Sequence, residues 1–348
     1  MLAYIRRVQR PNSVGRRSIR VAQRASGITE SALRRAAMPL ARRGFPYRKP
    51  TVPRSVEVPK KPSKLGGAYD TEWARTPIAR AMRGVIVEGP MRLAVRTLTS
   101  PTVHGLDRLS DLERAANDNE SPAPVIFAPN HHSHFDTGLV IRSIPAAWRR
   151  ELVVAAAADY FFDAQWKAVI SALSLNAIPI DREMTGRSTS DRLRDLIADG
   201  NSLIIYPEGG RSPDGWGQEF KGGAAYLAAR TGVAVIPVFI DGTSEIFGKG
   251  AKRPKPGRTT VTFGAPMWPG DNENTRRFNA RIQSTMERLG DEALTDYWTA
   301  SRRAAGGNSP SLTGPEYSSW RRQWQLGDRR RRSPSGRRRP RRRTWPAL

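Results

Sequence analysis

Three of the four histidines of the chain, His131, His132 and His134, lie within four residues. Asp136 follows two residues later, in the sequence NHHSHFD. Imidazole and carboxylate groups this close in sequence have two common uses, binding a metal ion and moving a proton. The segment follows the run PVIFA (residues 124–128), which predicts a buried strand. Sites in α/β sheets usually lie at the C-terminal ends of strands, so this position suits a functional loop.

A metal site is the first alternative. The pattern His132-x-His134-x-Asp136 resembles the opening of a binuclear metallohydrolase motif. That motif continues with a second histidine directly after the aspartate, where Thr137 stands here, and it needs further histidines downstream, where this sequence has none. Carboxylates would have to complete the coordination, so the sequence disfavours a metal and we expect none.

Proton transfer is the second alternative, with His131 as general base and Asp136 as its partner. Five residues of helix would place the two side chains about 140° apart, so they meet only if the chain turns between them. A strand-to-helix junction supplies such a turn. The carboxylate would then fix the tautomer of the imidazole and stabilise the imidazolium, leaving the other ring nitrogen to take a proton from a substrate hydroxyl. A histidine that merely caps the helix is the plain structural interpretation.

A second group of polar residues follows the predicted strand SLIIY (residues 202–206). It reads YPEGGRS and contains Glu208, Gly209 and Arg211. Paired glycines allow backbone N–H groups to approach a ligand closely, and an arginine binds phosphate oxygens in a bidentate manner. By itself the segment is equally well interpreted as a plain turn.

Strands that alternate with helices predict an α/β domain, with a mostly parallel sheet flanked by helices. We expect further strands over residues 233–240 and 259–263, and leave residues 151–158 open between strand and helix. Residues 76–99 predict an N-terminal amphipathic segment of one or two helices, broken at Gly89-Pro90. That segment would either pack on the core or lie on a membrane surface.

The net charge of +26 is concentrated at the two ends of the chain, with +13 in residues 1–54, +11 in residues 321–348 and +2 between them. We therefore expect a basic, disordered extension and linker over residues 1–64, a domain over 65–300, and an Arg-rich disordered tail over 301–348. Such tails are either solvated or bind anionic lipid or nucleic acid, and the first also resembles a mitochondrial transit segment. The absence of cysteine excludes disulfides and thiol nucleophiles. No apolar stretch approaches the roughly 18 residues that span a bilayer.

These motifs together resemble the glycerolipid acyltransferases, specifically the 1-acylglycerol-3-phosphate (lysophosphatidic acid) acyltransferase family. A lone His-x4-Asp is weak evidence, whereas several blocks in the family's order, over about residues 100–265, are strong. The matching blocks are VHGLD (103–107), His131 with Asp136, IPIDR (178–182), YPEGGRS (206–212), FKGG (220–223) and VIPV (235–238).

The resemblance implies that His131 deprotonates the hydroxyl of a lysophospholipid and that Asp136 orients it. The alkoxide would attack the thioester of acyl-CoA or acyl carrier protein, a co-substrate, with no cofactor. The residues implied to position the glycerol phosphate head are Arg182, Glu208, Gly209, Arg211 and, more weakly, Lys221. Two departures concern the acceptor: Gly210 stands where the family usually has Thr, and the block that ends at Arg182 lacks its usual Gly.

We therefore expect a peripheral membrane enzyme on the cytoplasmic face that transfers a fatty acyl group to 1-acylglycerol-3-phosphate to give phosphatidic acid. Its partners would be the lysophospholipid, the acyl thioester, an anionic membrane surface and, where it is the donor, acyl carrier protein; nucleic acid is disfavoured. The alternative is a cationic lipid- or nucleic-acid-binding protein on a degenerate acyltransferase scaffold. The acceptor, acyl chain length and oligomeric state are left open by the sequence.

Overall fold

A computed structural model of the chain describes residues 69–114, 122–180, 187–212, 214–248, 251 and 253–314. Seven strands form one sheet in the order β1-β7-β6-β2-β5-β3-β4. Five of them, from β6 to β4, run parallel, while β7 is antiparallel to β6 and pairs in parallel with β1 at the edge. The strands are β1 (Pro101–His104), β2 (Ile126–Pro129), β3 (Leu152–Ala157), β4 (Ala177–Ile180), β5 (Ser202–Ile204), β6 (Val235–Asp241) and β7 (Thr259–Phe263).

Helices cover both faces of this sheet. The helices are α1 (Pro77–Ile86), α2 (Arg92–Thr99), α3 (Ser110–Arg114), α4 (Asp136–Ser143), α5 (Ala146–Arg149), α6 (Ala158–Phe161), α7 (Gln165–Leu175), α8 (Arg187–Ala198), α9 (Gly223–Thr231), α10 (Thr243–Phe247), α11 (Thr275–Leu294) and α12 (Tyr297–Ala305). Short 3-10 turns cover Glu72–Arg75 and Leu106–Leu109.

The core is divided by the sheet into two main layers. Strand β2 shows why: Phe127 points into the cluster formed with α2, α4 and α5, whereas Ile126 and Ala128 point into the cluster formed with α8, α9 and α11. Successive side chains of a strand alternate between faces, so a central parallel strand must be apolar at every position. The predicted α/β class with a mostly parallel, helix-flanked sheet is confirmed.

The N-terminal helical segment does not break at Gly89-Pro90. A π-helical turn, Val87–Met91, joins α1 to α2 instead. Proline lacks an N–H group and its ring clashes with the carbonyl four residues earlier in a regular helix, and the wider turn accommodates both defects. The Thr76 hydroxyl caps the start of α1 by accepting a hydrogen bond from the Ala79 amide.

The outer face of this segment is apolar. Its inner face packs on the domain. The buried residues of this face recur roughly every four positions and are Ala79, Arg83, Val87, Val95 and Thr99. Four large apolar side chains point outward and are at least half exposed: Ile78, Met82, Val85 and Leu93. One face of the segment thus packs on the core, as the first interpretation predicts, and contact of the exposed face with a membrane stays a prediction.

Regular structure continues beyond residue 300, where the sequence placed the end of the domain. Helix α12 runs to Ala305 and is capped by Asp296, whose carboxylate accepts the amides of Trp298 and Thr299. Arg303 of this helix pairs with buried Asp291 at 2.6 Å. Helix α12 is amphipathic and packs on α11 although it contains arginines. The described structure therefore extends past the predicted domain boundary at residue 300. The predicted N-terminal extension (1–64) lies outside the described residues, as does the tail from residue 315 onward.

Candidate active site

Both sequence motifs lie at the C-terminal ends of two central strands. Strands β2 and β5 are direct neighbours and pair in parallel, with Ile126 opposite Leu203 and Phe127 opposite Ile204. The histidine loop leaves β2 and the YPEGGRS segment leaves β5, so the two loops emerge side by side at the C-terminal ends of the strands. The Ser212 amide donates to the His131 carbonyl at 2.8 Å and joins the two loops directly.

Asn130 anchors the start of the histidine loop. Its side-chain amide donates to the Ile240 carbonyl at 2.9 Å, and its side-chain oxygen accepts the Ile240 amide at 2.7 Å. An asparagine side chain carries the same donor and acceptor as a peptide group. The side chain therefore extends the pairing of β2 with β6 by one position while the backbone turns away into the loop.

Asp136 is the first residue of α4 and is fully buried. One oxygen, Oδ2, accepts three hydrogen bonds: from the amides of His132 (2.6 Å) and Ser133 (2.7 Å), and from the His131 ring at Nδ1 (3.0 Å). The other oxygen, Oδ1, has no hydrogen-bond partner among the described residues. The carboxylate thus folds the loop back on itself, which is the turn that the pairing of His131 with Asp136 required.

The geometry at His131 leaves one ring nitrogen for chemistry. A carboxylate only accepts hydrogen bonds, so the Nδ1 that faces Asp136 carries the proton and Nε2 holds the lone pair. The Tyr206 ring stacks on the imidazole with centroids 4.0 Å apart, and the Tyr206 hydroxyl lies 2.8 Å from that of Thr137. Burial raises the pKa of Tyr206 well above its usual value, so this ring is a neutral support that fixes the imidazole plane.

Glu208 is buried and faces backbone rather than open space. Its two oxygens accept the amides of His131 and Gln218, each at 3.0 Å. Burial raises the pKa of Glu208 to about 7, against the opposing effect of these two amides. The resemblance implied that Glu208 touches the glycerol phosphate head. In the structure this carboxylate is 1% exposed and holds the His131 backbone, and its contact with the glycerol phosphate head stays a prediction.

Gly209 and Arg211 lie in the loop that follows β5, and Lys221 packs against this loop. Gly209 has φ +68°, and a Cβ built on it would lie 2.7 Å from Cδ and 2.9 Å from Nζ of Lys221. The lysine therefore lies directly across the glycine, and the positive φ is what favours glycine here, since the end of a lysine side chain can move. Gly210 differs from Gly209, since a Cβ there would meet nothing within 4 Å. Space thus remains for the Thr that the family usually has.

An aromatic cluster beside His131 was not predicted from the sequence. The His134 ring stacks on Tyr160 with centroids 5.2 Å apart, and its Nε2 lies 3.2 Å from the Tyr160 hydroxyl. Partial burial first, and then the charge of Arg211, lower the pKa of His134 to about 4, so the ring is neutral near pH 7. Tyr160 lies on α6, in a segment with no motif, and no sequence signal could have identified it.

Two predictions about ligands concern Arg182 and a metal ion. Arg182, predicted to bind the glycerol phosphate head, lies outside the described residues. In the parts of the chain that the structure describes, no three His, Cys, Asp or Glu side chains come together as they would around a metal ion. The ordered contacts of Asp136 with backbone amides and with the His131 ring suit proton transfer.

Comparison with known proteins finds similar sequences for the central part of the chain. Residues 100–241 match the acyltransferase family model. Curated relatives include the chloroplastic 1-acyl-sn-glycerol-3-phosphate acyltransferases BAT2 of Brassica napus (29% identical over 151 residues, 41% of this chain and 40% of the relative) and LPAT1 of Arabidopsis thaliana (30% over 150 residues, 41% and 38%). The mouse 1-acyl-sn-glycerol-3-phosphate acyltransferase alpha is 30% identical over 196 residues, 54% of this chain and 64% of the relative.

Among solved structures, the 1-acyl-sn-glycerophosphate (LPA) acyltransferase PlsC from Thermotoga maritima aligns with a TM-score of 0.46 and 21% identity, over 64% of this chain and 83% of that one. Residues 100–241 of the chain are therefore similar to the acyltransferase family's domain. The match to this chain spans about two fifths of the length of the two plant relatives.

Proposed function

We propose that the protein transfers a fatty acyl group from a thioester, acyl-CoA or acyl carrier protein, to the free hydroxyl of 1-acylglycerol-3-phosphate and so forms phosphatidic acid. The observation that carries this proposal is the buried Asp136 carboxylate 3.0 Å from Nδ1 of His131, within the family's domain. The names of the curated relatives supply the acceptor.

The chemistry requires one base and no protein nucleophile. Nε2 of His131 removes the proton of the acceptor hydroxyl while Asp136 stabilises the resulting imidazolium. The acceptor oxygen attacks the thioester carbonyl, the new C–O ester bond forms, and the C–S bond breaks. The leaving thiolate takes the proton from the imidazolium, which restores the neutral base.

Two cations of the loop after β5 and its neighbouring segment would bind the acceptor phosphate. Arg211 follows directly on the glycine pair, and Lys221 lies across Gly209. Arg211 directly precedes Ser212, whose amide joins the two loops, and the Lys221 amide donates to the Pro207 carbonyl at 2.8 Å. Arginine matches the geometry of phosphate oxygens, and lysine supplies a point charge. This arrangement would hold the acceptor with its hydroxyl near the base.

We also propose that the protein acts as a peripheral enzyme at the cytoplasmic surface of a membrane. In the described parts of the chain, every helix is too short or too polar to cross a bilayer. The exposed apolar face of α1 and α2 supports membrane contact, and it continues onto α7 through Trp166 and Ile170, which are 64% and 56% exposed. Arg83 of α1 donates to the Leu173 carbonyl of α7 at 3.0 Å, so the two helices form one surface.

An activity assay tests the reaction. Purified full-length protein receives lysophosphatidic acid with long-chain acyl-CoA or, in parallel, acyl carrier protein, without added metal. Phosphatidic acid formation with either donor is the expected result. Absence of product with both donors, from folded protein on lipid vesicles, would contradict the proposed reaction.

A vesicle-binding assay tests the membrane surface with two matched leucines. Leu93 on α2 is 64% exposed, and Leu294 at the end of α11, on the opposite face of the sheet, is 71% exposed. We expect Leu93→Asp to weaken sedimentation with vesicles of mixed neutral and anionic lipid and Leu294→Asp to leave it unchanged. Equal loss in both variants, or in neither, would contradict this surface.

A further inference from the structure

Two cations lie over the ring of Tyr160, beside the candidate active site. The Arg211 guanidinium carbon is 5.4 Å from the ring centroid, and Lys167 Nζ is 5.8 Å from it. Both distances are within the roughly 6 Å at which a cation is attracted to the face of an aromatic ring. Arg211 comes from the loop after β5 and Lys167 from α7, so Tyr160 gathers charges from two separate elements.

The position of the Tyr160 ring is itself fixed by the histidine loop. His134 stacks on one side of it, with the Tyr160 hydroxyl 3.2 Å from His134 Nε2. Phe247 in turn packs against His134, with centroids 5.5 Å apart. The neutral imidazole accepts a hydrogen bond without adding charge to the cluster. The ring therefore stays in place beside Arg211 although Tyr160 is 41% exposed.

An aromatic partner affects a cation differently from a carboxylate partner. A carboxylate neutralises the positive charge and occupies its donors, whereas a ring attracts the cation through its quadrupole and leaves the net charge in place. Lys167 differs from Arg211, because Asp163 pairs with it at 2.9 Å in a half-exposed ion pair that offsets part of its charge, so Arg211 is the stronger cation of the two. Arg211 thus keeps a full positive charge and is restricted in its motion, the two properties that a phosphate-binding group needs.

On the basis of the proposed function, we propose that Tyr160 is a positioning residue that holds Arg211 and Lys167 together as a binding site for the phosphate monoester of the acyl acceptor. The contact between Ser212 and His131 places the Arg211 loop next to the base. The site binds the charged end of the acceptor at a fixed distance from Nε2 and so presents the hydroxyl to it. Tyr160 acts through the two cations and does not touch the reacting atoms.

The test compares Tyr160→Leu, Tyr160→Phe and a matched control in the full chain. The control is Tyr226→Leu, since Tyr226 is an exposed tyrosine on α9 whose ring also lies under an arginine, Arg230, at 5.7 Å. Loss of two cation–ring contacts should raise the KM for lysophosphatidic acid about tenfold in Tyr160→Leu, with a smaller change in kcat. Tyr160→Phe keeps the ring and should stay within about threefold of wild type, and Tyr226→Leu should match wild type.

A second measurement separates this inference from the proposed reaction. Binding of glycerol 3-phosphate, followed by ligand-observed NMR, needs no turnover and should weaken about tenfold in Tyr160→Leu. Unchanged KM and unchanged binding in this variant would overturn the role of Tyr160 even if wild type is active. A rise in the KM for acyl-CoA alone would also overturn it, by assigning the cations to the donor phosphates. Weakened binding in a protein without acyltransferase activity would support the phosphate site and reject only the reaction. Absence of binding by wild type would overturn both.

Discussion

Replacing Asp136 by asparagine should isolate the charge of the carboxylate from its hydrogen bonds. All three hydrogen bonds of Asp136 end on Oδ2, and Oδ1 has no partner among the described residues. An asparagine can therefore place its oxygen where Oδ2 lies and its NH2 group where Oδ1 lies. The loop amides and the protonated Nδ1 of His131 keep their acceptor, the negative charge is lost, and an NH2 group replaces an oxygen that also had no partner among the described residues.

The expected loss in rate follows from that missing charge. Hydrogen bonds to charged groups are stronger than neutral ones by about 1–1.5 kcal/mol, which sets a lower bound of about tenfold. Two unit charges in contact near a protein surface interact by about 4 kcal/mol, which sets an upper bound of about 1000-fold. We therefore expect Asp136→Asn to lower kcat between these limits, with little change in the KM for the acceptor.

The assay can follow release of the CoA thiol with a coloured thiol reagent, because the protein has no cysteine to react with it. Asp271→Asn, in an exposed turn, is the matched control and should keep wild-type kcat. Thermal unfolding of Asp136→Asn should stay within a few degrees of wild type. A kcat within threefold of wild type in a folded Asp136→Asn variant would refute a role for the carboxylate charge.

Four further variants test how the loops are held. Gly209→Ala should lower the free energy of unfolding by about 1–2 kcal/mol because φ is positive at this residue. Gly210→Ala should leave it unchanged, and equal urea midpoints of the two variants would contradict this. Asn130→Ala should lower the free energy of unfolding by about 2–3 kcal/mol in the same assay, because both backbone groups of Ile240 lose the Asn130 side chain as partner. A decrease of less than about 0.5 kcal/mol would contradict the role of Asn130 as an anchor. Burial raises the pKa of Glu208 from 4.5 to about 7, so the folded carboxyl holds a proton that the unfolded one has released, and stability falls as pH rises between these values. As pH rises through this range, the free energy of unfolding of Glu208→Gln should increase relative to wild type by up to about 3 kcal/mol. Parallel plots of unfolding free energy against pH for the two proteins would contradict this.

The sequence predicts β2, β5, β6 and β7 because buried strands are apolar on both faces, whereas β1 and β4 were not predicted. The runs PVIFA and SLIIY fall on β2 and β5, and residues 151–158, left open, contain β3. The two motifs could be placed at strand ends for the same reason. Their contact depends on β2 and β5 being neighbours, although β3 and β4 lie between them in the chain. That strand order is a tertiary property without a local signal.

Other features of the site depend on which way a side chain points. The motif identifies Glu208, but only the fold shows that its carboxylate faces the amides of His131 and Gln218. Helices α6 and α7, which carry Tyr160 and Lys167, have no motif and were not predicted. The π-turn at Gly89-Pro90 was missed because proline normally ends a helix, and the packing of its neighbours on the core favours continuation here.

The central claim is that His131 is the base of an acyl transfer, and the chain contains its own control. His104 is exposed on the edge strand β1, away from the histidine loop. We would measure phosphatidic acid formed from lysophosphatidic acid and long-chain acyl-CoA by wild type, His131→Ala and His104→Ala. Loss of a general base should lower the rate at least about a hundredfold in His131→Ala, while His104→Ala stays at the wild-type rate. Equal rates in all three proteins would contradict the account.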